Sequence, residues 1–210
     1  MGGKMILKDS EQTRQQAASH VKAGSVIAFR TDTFYGLGAD PFNHEALGKL
    51  LALKGRDDGK PILLVISDTS EVTRFNAHRG KLFDLLSARH WPGALTLIVT
   101  ARPNLLRELT AGTGTIGLRL PGDEEVREFI RACGGALTAT SANLAGEPPA
   151  RTAGEVATSF PSGLSLIVDG GAARTAEPST VLDVSQDKAR LIREGAVSWR
   201  ALQETIRSAE

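Results

Sequence analysis

The sequence predicts an α/β fold, with a mixed and twisted β-sheet and flanking helices. Helical and strand patterns alternate through the first two thirds of the chain and strand patterns dominate its last third, which disfavours a purely parallel Rossmann sheet. With 210 residues, 41% hydrophobic residues and a net charge of +1, the chain suits one well-buried globular domain. We place this domain at residues 10–203, with terminal extensions at 1–9 and 204–210.

The first predicted elements are a helix that follows Ser10 and ends before Gly24, and then a buried strand at residues 25–29. Asn43 suits the N-cap of a second helix, in which apolar residues recur at helical spacing as far as Lys54. Further strands are predicted at residues 61–66, 95–100, 116–120, 136–140, 164–168, 180–184 and 190–193. Further helices are predicted at residues 80–89 and 124–133, after the capping box of Thr152 and Glu155, and after Ser198.

Composition excludes several classes of protein. The one cysteine, Cys133, cannot form an internal disulfide, and neither a signal peptide nor a membrane-spanning apolar run is present. We therefore expect a cytoplasmic protein that makes no membrane contact. The four histidines, His20, His44, His78 and His90, lack the spacing of metal ligands, so no metal site is predicted. No acid/base dyad is evident either, and the chemistry is expected to depend on positioning and charge neutralisation.

A polar segment follows the first predicted strand. The apolar residues 26–29 lead directly into residues 30–38, which read RTDTFYGLG. Thr31, Asp32 and Thr33 are therefore expected where a buried strand reaches the surface. In α/β proteins, ligand sites form at such strand ends.

A second polar segment, residues 54–61 (KGRDDGKP), places Lys54, Arg56 and Lys60 within a glycine-rich stretch. Cations and backbone amides together suit a polyphosphate, which indicates a nucleotide-using enzyme. The segment is not a P-loop, because its glycine spacing is one residue short, Pro61 replaces the required serine or threonine, and a helix precedes it. A solvated helix end, where cations are mildly favoured, is the alternative interpretation and stays open on this segment alone.

Polar residues later in the chain each have a binding and a structural interpretation. Arg119 lies on the polar face of a strand and suits a carboxylate or phosphate, although an internal ion pair would serve as well. Ser141 and Asn143 follow a strand and could hold a ribose, a phosphate or a magnesium-bound water, or could simply close a turn. Taken singly, Ser179 and Arg193 are typical of strand-end turns.

Taken in order, seven motifs resemble those of the YrdC family. They are TDTFYGLG at 31–38, KGR at 54–56 with Lys60-Pro61, WPGALT at 91–96, LRLP at 118–121, SAN at 141–143, PST at 178–180 and REG at 193–195. The resemblance spans residues 10–203 and implies a YrdC-like fold with a concave, positively charged ligand-binding face. It also implies the activity of that family, threonylcarbamoyl-AMP synthesis. In this reaction L-threonine, bicarbonate and ATP give threonylcarbamoyl-AMP and pyrophosphate, for tRNA threonylcarbamoyladenosine modification.

The resemblance implies roles for individual residues. L-threonine is expected at Thr33, Arg119 and Ser179, with Arg119 on its carboxylate. ATP is expected at Lys54, Arg56, Lys60, Thr115, Ser141, Asn143 and Arg193. Lys54, Arg56 and Lys60 are the expected catalytic cations, and Mg²⁺ is expected to enter with ATP.

The chain departs from the family pattern at several positions. Arg30 and Asp57 stand where family members commonly have proline, so loop rigidity and phosphate geometry are expected to differ here. Pro149 stands where some members have a small polar residue near the nucleotide, and no side-chain role is assigned to it. Longer members carry a second domain after a linker, whereas this chain resembles the single-domain form.

An RNA-binding module of the same fold is the alternative function, because a basic concavity could also lie along a phosphate backbone. The near-neutral net charge and the scarcity of aromatic residues count against it. A nucleotidyltransferase for a different small acid is a third interpretation. The candidate macromolecular partners are tRNA or double-stranded RNA, and a downstream threonylcarbamoyltransferase complex.

Overall fold

The structure is a computed structural model that describes residues 5–55, 61–175 and 177–208. In chain order its strands are β1 (Ile6–Lys8), β2 (Ile27–Arg30), β3 (Tyr35–Gly38), β4 (Leu63–Ile66), β5 (Leu95–Thr100), β6 (Thr115–Arg119), β7 (Ala136–Thr138), β8 (Thr140–Ser141), β9 (Leu166–Asp169), β10 (Thr180–Asp183) and β11 (Arg190–Arg193). Its helices are α1 (Glu11–Lys22), α2 (His44–Lys54), α3 (Lys81–His90), α4 (Arg107–Thr110), α5 (Glu124–Ala132), α6 (Ala153–Ser159) and α7 (Trp199–Arg207), with a 3₁₀ helix at Thr69–Arg74. No helix in the described parts of the chain is long and apolar enough to cross a membrane.

The strands form two mixed sheets. The first has the order β1-β9-β2-β3-β8, in which β1, β9 and β2 are parallel and the β3 and β8 pairings are antiparallel. The second has the order β11-β10-β5-β6-β4-β7, in which parallel β10-β5 and β4-β6 pairs alternate with antiparallel ones. The predicted mixed α/β architecture is therefore confirmed, with two sheets in place of one.

Side-chain caps fix the start of the helices that the sequence predicted. Four side chains each accept the backbone N–H of the residue three positions later: Ser10, Asn43, Thr152 and Ser198. Such a cap satisfies a donor that has no partner within the helix, and it stabilises the helix by about 1 kcal/mol. At the other end of α2, Gly55 has a left-handed backbone with φ of 59°, which ends the helix just before the second polar segment.

Strand β2 illustrates how the sheets are covered on both faces. Ala28 belongs to the larger apolar core, whereas Ile27 and Phe29 belong to a second cluster with residues of α1 and α5. Alternate side chains of a strand point to opposite faces, so this two-residue period places helices on both sides of the first sheet. The β2 strand is accordingly buried along its whole length.

The two sheets meet where the chain passes from β7 to β8. Thr138 ends β7 in the second sheet, and after Ala139 the chain enters β8 in the first. Thr138 also pairs with Ala39, donating its backbone N–H to the Ala39 carbonyl at 3.1 Å and accepting the Ala39 N–H on its hydroxyl at 2.8 Å. This junction lies beside β4, because Ala139 donates its backbone N–H to the Leu63 carbonyl at 2.8 Å.

The sequence missed the short strands β1 and β3, and it predicted one strand at residues 136–140 where the structure has β7 and β8. Strand β3 contains Gly36 and Gly38, and glycine has a low strand propensity. A Cβ at Gly38 would lie 2.8 Å from the Phe29 ring, so packing against β2 requires glycine at this position. The same glycine weakens the strand pattern in the sequence. Because β1 pairs with β9, the first sheet includes residues before the predicted domain start at residue 10.

Candidate active site

A cavity of about 460 Å³ opens where the two sheets meet. The loop between β2 and β3 forms one wall, and residues of β4, β5 and β6 form another. Of the residues predicted to bind substrates, five line this cavity: Thr33, Arg119, Ser141, Ser179 and Arg193. They come from separate parts of the chain, so the fold brings together most of the motifs that the sequence presented apart.

Arg119 is the central cation of this cavity. It ends β6, is 6% exposed, and donates from Nη1 to Thr33 Oγ1 at 3.1 Å and from Nη2 to Thr31 Oγ1 at 3.4 Å. The Thr31 hydroxyl in turn donates to the Phe34 carbonyl at 2.7 Å, which holds the loop in a tight turn. A guanidinium has five N–H donors in a planar fork, so Arg119 retains donors for a carboxylate in the cavity.

Asp32 is the internal counter-charge of Arg119. Its Oδ1 lies 3.2 Å from Arg119 Nη2, an ion pair outside hydrogen-bond geometry, and its Oδ2 accepts the Gly122 N–H at 3.0 Å. The structural ion pair that the sequence left open for Arg119 is thus present. Arg119 both pairs with Asp32 and lines the cavity, so a structural ion pair and a binding role are compatible.

Ser179 and Arg193 line the cavity from the β10 and β11 side of the second sheet. Arg193 Nη2 donates to the Ser179 carbonyl at 2.8 Å and lies 3.4 Å from its hydroxyl. That hydroxyl is also 2.9 Å from the hydroxyl of Thr96 on β5. These contacts place the end of β11 against the start of β10. The Ser179 hydroxyl thus lies between Thr96 and Arg193.

Gly195 permits this close approach. A Cβ at this position would lie 2.2 Å from the Pro178 carbonyl oxygen and 2.8 Å from the Ser179 carbonyl carbon, distances that Cβ atoms do not reach. The Gly195 N–H is donated to the Thr180 hydroxyl at 2.9 Å. Close packing against the backbone of Pro178 and Ser179 therefore requires glycine at this position of the REG motif.

The two arginines give the cavity its electrostatic character. Arg193 is exposed at the rim, but its guanidinium is partly withdrawn from water, which lowers its pKa, and the positive charge of Arg119 lowers it further. Because the charge of Arg119 makes the charged form of Arg193 less favourable, an anion bound near both guanidinium groups would be stabilised. Whether the whole concave face is positively charged stays a prediction, because Arg56 and Lys60 lie outside the described residues.

Lys54 lies behind Ser141, not on the cavity wall that the described residues form. It is 4% exposed, and its Nζ donates to the Ser141 carbonyl at 2.8 Å, the Asn143 carbonyl at 2.6 Å and Asn143 Oδ1 at 3.2 Å. The same Oδ1 accepts the Ser141 hydroxyl at 2.6 Å. Lys54 thus fixes the SAN loop, and its role near the phosphates stays a prediction.

Other predicted site residues lie outside the cavity or outside the described chain. Thr115 begins β6, about 13 Å along the strand from Arg119, and its hydroxyl is 2.9 Å from that of Thr113. The predicted catalytic residues Arg56 and Lys60, and the departure at Asp57, fall among residues 56–60, which are not described. Within the described residues, no three His, Cys, Asp or Glu side chains are grouped as metal ligands.

Sequence reasoning assigned no role to Thr96 and Tyr35, which also line the cavity. Thr96 is 1% exposed and interrupts the apolar strand LTLIV, so an isolated buried hydroxyl was the available signal. Tyr35 is fully buried and donates its hydroxyl to the Gly171 carbonyl at 2.8 Å. Burial is the main reason that its pKa is raised, with the nearby Asp169 carboxylate adding to the effect. Tyr35 thus joins the cavity wall to the segment after β9.

Solved structures share this fold. The structure of Pyrococcus abyssi Sua5 complexed with L-threonine superposes with a TM-score of 0.90 at 28% identity, covering 97% of this chain and 60% of that one. The structure of Escherichia coli YciO superposes with a TM-score of 0.82 at 25% identity, covering 95% of this chain and 98% of that one.

Sequence relatives agree with this likeness. Threonylcarbamoyl-AMP synthase of Bacillus subtilis (strain 168) is 35% identical over 192 residues, 91% of this chain but only 56% of that protein. Threonylcarbamoyl-AMP synthase of Idiomarina loihiensis is 38% identical over 175 residues, 81% of this chain and 92% of that protein. The family model Sua5_yciO_yrdC, described as telomere recombination, matches residues 19–195. The chain therefore belongs to the Sua5/YciO/YrdC family.

Proposed function

We propose that this protein is a threonylcarbamoyl-AMP synthase, which makes threonylcarbamoyl-AMP and pyrophosphate from L-threonine, bicarbonate and ATP. The proposal is supported by two relatives that carry this name and by the structure of Pyrococcus abyssi Sua5 complexed with L-threonine. The single observation that carries it in this chain is the shared cavity, in which the Arg119 guanidinium lies beside Thr33, and which Ser179 and Arg193 also line.

The threonine side of the reaction follows from Arg119, Thr33 and Ser179. The guanidinium of Arg119 suits the carboxylate of L-threonine, because its planar fork can donate two parallel hydrogen bonds. The hydroxyls of Thr33 and Ser179 are close enough to the same cavity to orient the amino and hydroxyl groups of the substrate. The amine and bicarbonate then form a carbamate with loss of water. A held carbamate oxygen is in position to attack the α-phosphorus of ATP, and pyrophosphate leaves.

The nucleotide side is proposed to include Arg193 and Ser141, which line the cavity, together with Thr115 and Asn143, which are not among its lining residues. Arg56, Lys60 and Lys54 would stabilise charge that develops on the leaving pyrophosphate. Mg²⁺ would arrive on the phosphate oxygens of ATP, since it binds chiefly to phosphates, carboxylates and water. Positioning and charge neutralisation are sufficient for such a transfer at phosphorus.

The experiment that tests this function is pyrophosphate release with each substrate omitted in turn. Release should require ATP, L-threonine and bicarbonate together. The attacking group is the carbamate oxygen, which exists only after the threonine amine has reacted with bicarbonate. Release that is independent of L-threonine would contradict the proposal. Replacing L-threonine by L-serine measures selectivity, and one methyl group in an apolar pocket is worth about 1–3 kcal/mol.

The RNA-binding alternative is less well supported. A cavity of about 460 Å³ matches a small-molecule site, whereas a phosphate backbone would need an extended open groove. If the product is made for tRNA modification, a transferase that carries the threonylcarbamoyl group to tRNA must consume it. tRNA itself and that transferase complex are therefore the proposed macromolecular partners.

A further inference from the structure

Arg30 is a buried cation to which the proposed function gives no role. It is the last residue of β2, and its side chain is 4% exposed. It is not among the described residues that line the cavity. A buried guanidinium is costly unless it is paired, so its partners indicate what it does.

Arg30 pairs with two carboxylates at the start of α5. Its Nη1 donates to Asp123 Oδ2 at 2.8 Å and its Nη2 donates to Glu125 Oε2 at 3.1 Å. Asp123 also caps the helix by accepting the Glu125 N–H, and its side chain is 6% exposed. Burial alone would raise the pKa of Asp123, but the hydrogen bond and charge of Arg30, with the charge of Arg174, hold it below its usual value. The carboxylate is therefore ionised at neutral pH and can hold Arg30.

The ion pair of Arg30 with Asp123 is one of several links between the same two loops. In the loop after β2, Thr33 accepts from Arg119 at 3.1 Å, and Asp32 accepts a backbone N–H of the segment before α5 at 3.0 Å. Of these residues, Thr33 and Arg119 line the cavity, whereas Asp32, Arg30 and Asp123 are not among its described lining residues. A shift of the loop relative to α5 would therefore change the distance between Thr33 and Arg119.

We infer that Arg30 is a positioning residue for the amino-acid side of the cavity. Its ion pair with Asp123 sets where the loop after β2 stands relative to α5, and hence where Thr33 stands relative to Arg119. Arg30 thus restrains the loop through a side-chain contact and not through the backbone. The inference rests on the proposed function for the identity of the amino acid, and it gives Arg30 no contact with substrate.

The chain offers a matched control and two informative companions. Arg14→Gln removes another arginine that holds α5, because Arg14 pairs with Asp9 at 2.8 Å and with Glu128 at 2.6 Å, away from the cavity. Asp123→Asn removes the charge but keeps a good N-cap. Arg30→Lys keeps a positive charge for Asp123.

The experiment is calorimetric titration of L-threonine into the wild type and each variant, with the KM for ATP and the Tm measured in parallel. Arg30→Gln should bind L-threonine about 10-fold to 100-fold more weakly, as expected for a small displacement of binding groups, with the KM for ATP unchanged. Asp123→Asn should weaken binding to a similar degree, and the double variant should weaken it little further, because both changes break the ion pair between Arg30 and Asp123. Arg30→Lys should recover part of the affinity. Arg14→Gln should lower the Tm without changing threonine affinity.

The inference is overturned if Arg30→Gln and Arg14→Gln both lower the Tm while each binds L-threonine as tightly as the wild type. If Arg30→Gln does not fold, Asp123→Asn decides by the same comparison, and if neither folds the pair is purely structural and the inference is wrong. A wild type that does not bind L-threonine would contradict the proposed function instead. If the wild type binds L-threonine and the Arg30→Gln variant binds it equally well, the inference about Arg30 is wrong but the proposed function is not contradicted.

Discussion

Arg119 Nη1 donates to Thr33 Oγ1 at 3.1 Å, although the two residues are 86 positions apart in the chain. Thr33 belongs to a loop of the first sheet and Arg119 ends a strand of the second. A ligand that contacts both side chains therefore spans the junction of the sheets. The stability of that junction and the affinity for the ligand should consequently depend on some of the same residues.

Replacing Arg119 should weaken amino-acid binding more than nucleotide binding. Hydrogen bonds to charged groups contribute about 1.5–3 kcal/mol, so Arg119→Gln should lower L-threonine affinity roughly 10-fold to 100-fold. Calorimetric titration of L-threonine and the KM for ATP measure the two effects. Arg190→Gln is the control, because Arg190 is an exposed arginine paired with Asp183 at 3.0 Å. Equal losses for both substrates would show that the division of roles is wrong.

Thr96 should act through Ser179. Thr96→Val keeps the shape of the side chain but leaves the buried Ser179 hydroxyl with only the 3.4 Å contact from Arg193. We expect a loss of about 1 kcal/mol in the free energy of unfolding and a several-fold weaker binding of L-threonine. Thr96→Ser retains the hydroxyl and should restore both quantities. Urea unfolding and calorimetry check this, and a Thr96→Val variant with wild-type threonine affinity would argue against the role.

Gly195→Ala should displace the chain behind Ser179. The added Cβ would lie 2.2 Å from the Pro178 carbonyl oxygen, so the backbone must move. Overpacking of this kind costs about 1–3 kcal/mol of stability, and turnover should fall as well because Ser179 and Arg193 shift. Gly48→Ala in α2 is the matched control, since its Cβ would meet no atom within 4 Å and alanine favours a helix. If both variants turn over like the wild type, Gly195 is not a packing requirement.

The junction of α3 with α7 should weaken in mild acid. His90 Nε2 lies 2.9 Å from the Thr205 hydroxyl, and burial, followed by the charge of Arg89, lowers the pKa of His90. The unfolded chain therefore binds a proton first, and stability should fall as the pH drops below about 6.5, the ordinary value for histidine. Urea unfolding at pH 7.5 and 5.5 measures this change. His90→Gln should show a smaller loss between the two pH values, and an equal loss would assign the effect to other groups.

Local signals in the sequence were sufficient for most elements of the fold. Ser10, Asn43, Thr152 and Ser198 each form the cap that their position predicted, because capping depends on residues within one helical turn. The separation into two sheets was not predictable in this way. It depends on the pairing of Ala39 with Thr138, which are distant in the chain and carry no local signature.

The site was only partly accessible to sequence reasoning. Arg119, Thr33 and Ser179 line one cavity, although Arg119 and Ser179 taken singly favoured a local structural role, and their roles in binding stay a prediction. The position of Lys54 behind the SAN loop was not foreseen, because three carbonyl-type acceptors gather around its ammonium group only in the folded chain. The importance of Thr96 was missed for the same reason, since its one partner lies 83 positions away.

The most direct measurement of the proposed activity is the fate of carbon from labelled bicarbonate. Incubation with ATP, L-threonine and ¹⁴C-bicarbonate should give a labelled product that contains both threonine and AMP, together with an equal amount of pyrophosphate. Omission of L-threonine, or use of the Arg119→Gln variant, should reduce the label in that product sharply. Pyrophosphate formed without labelled carbon in an AMP-containing product would contradict the account.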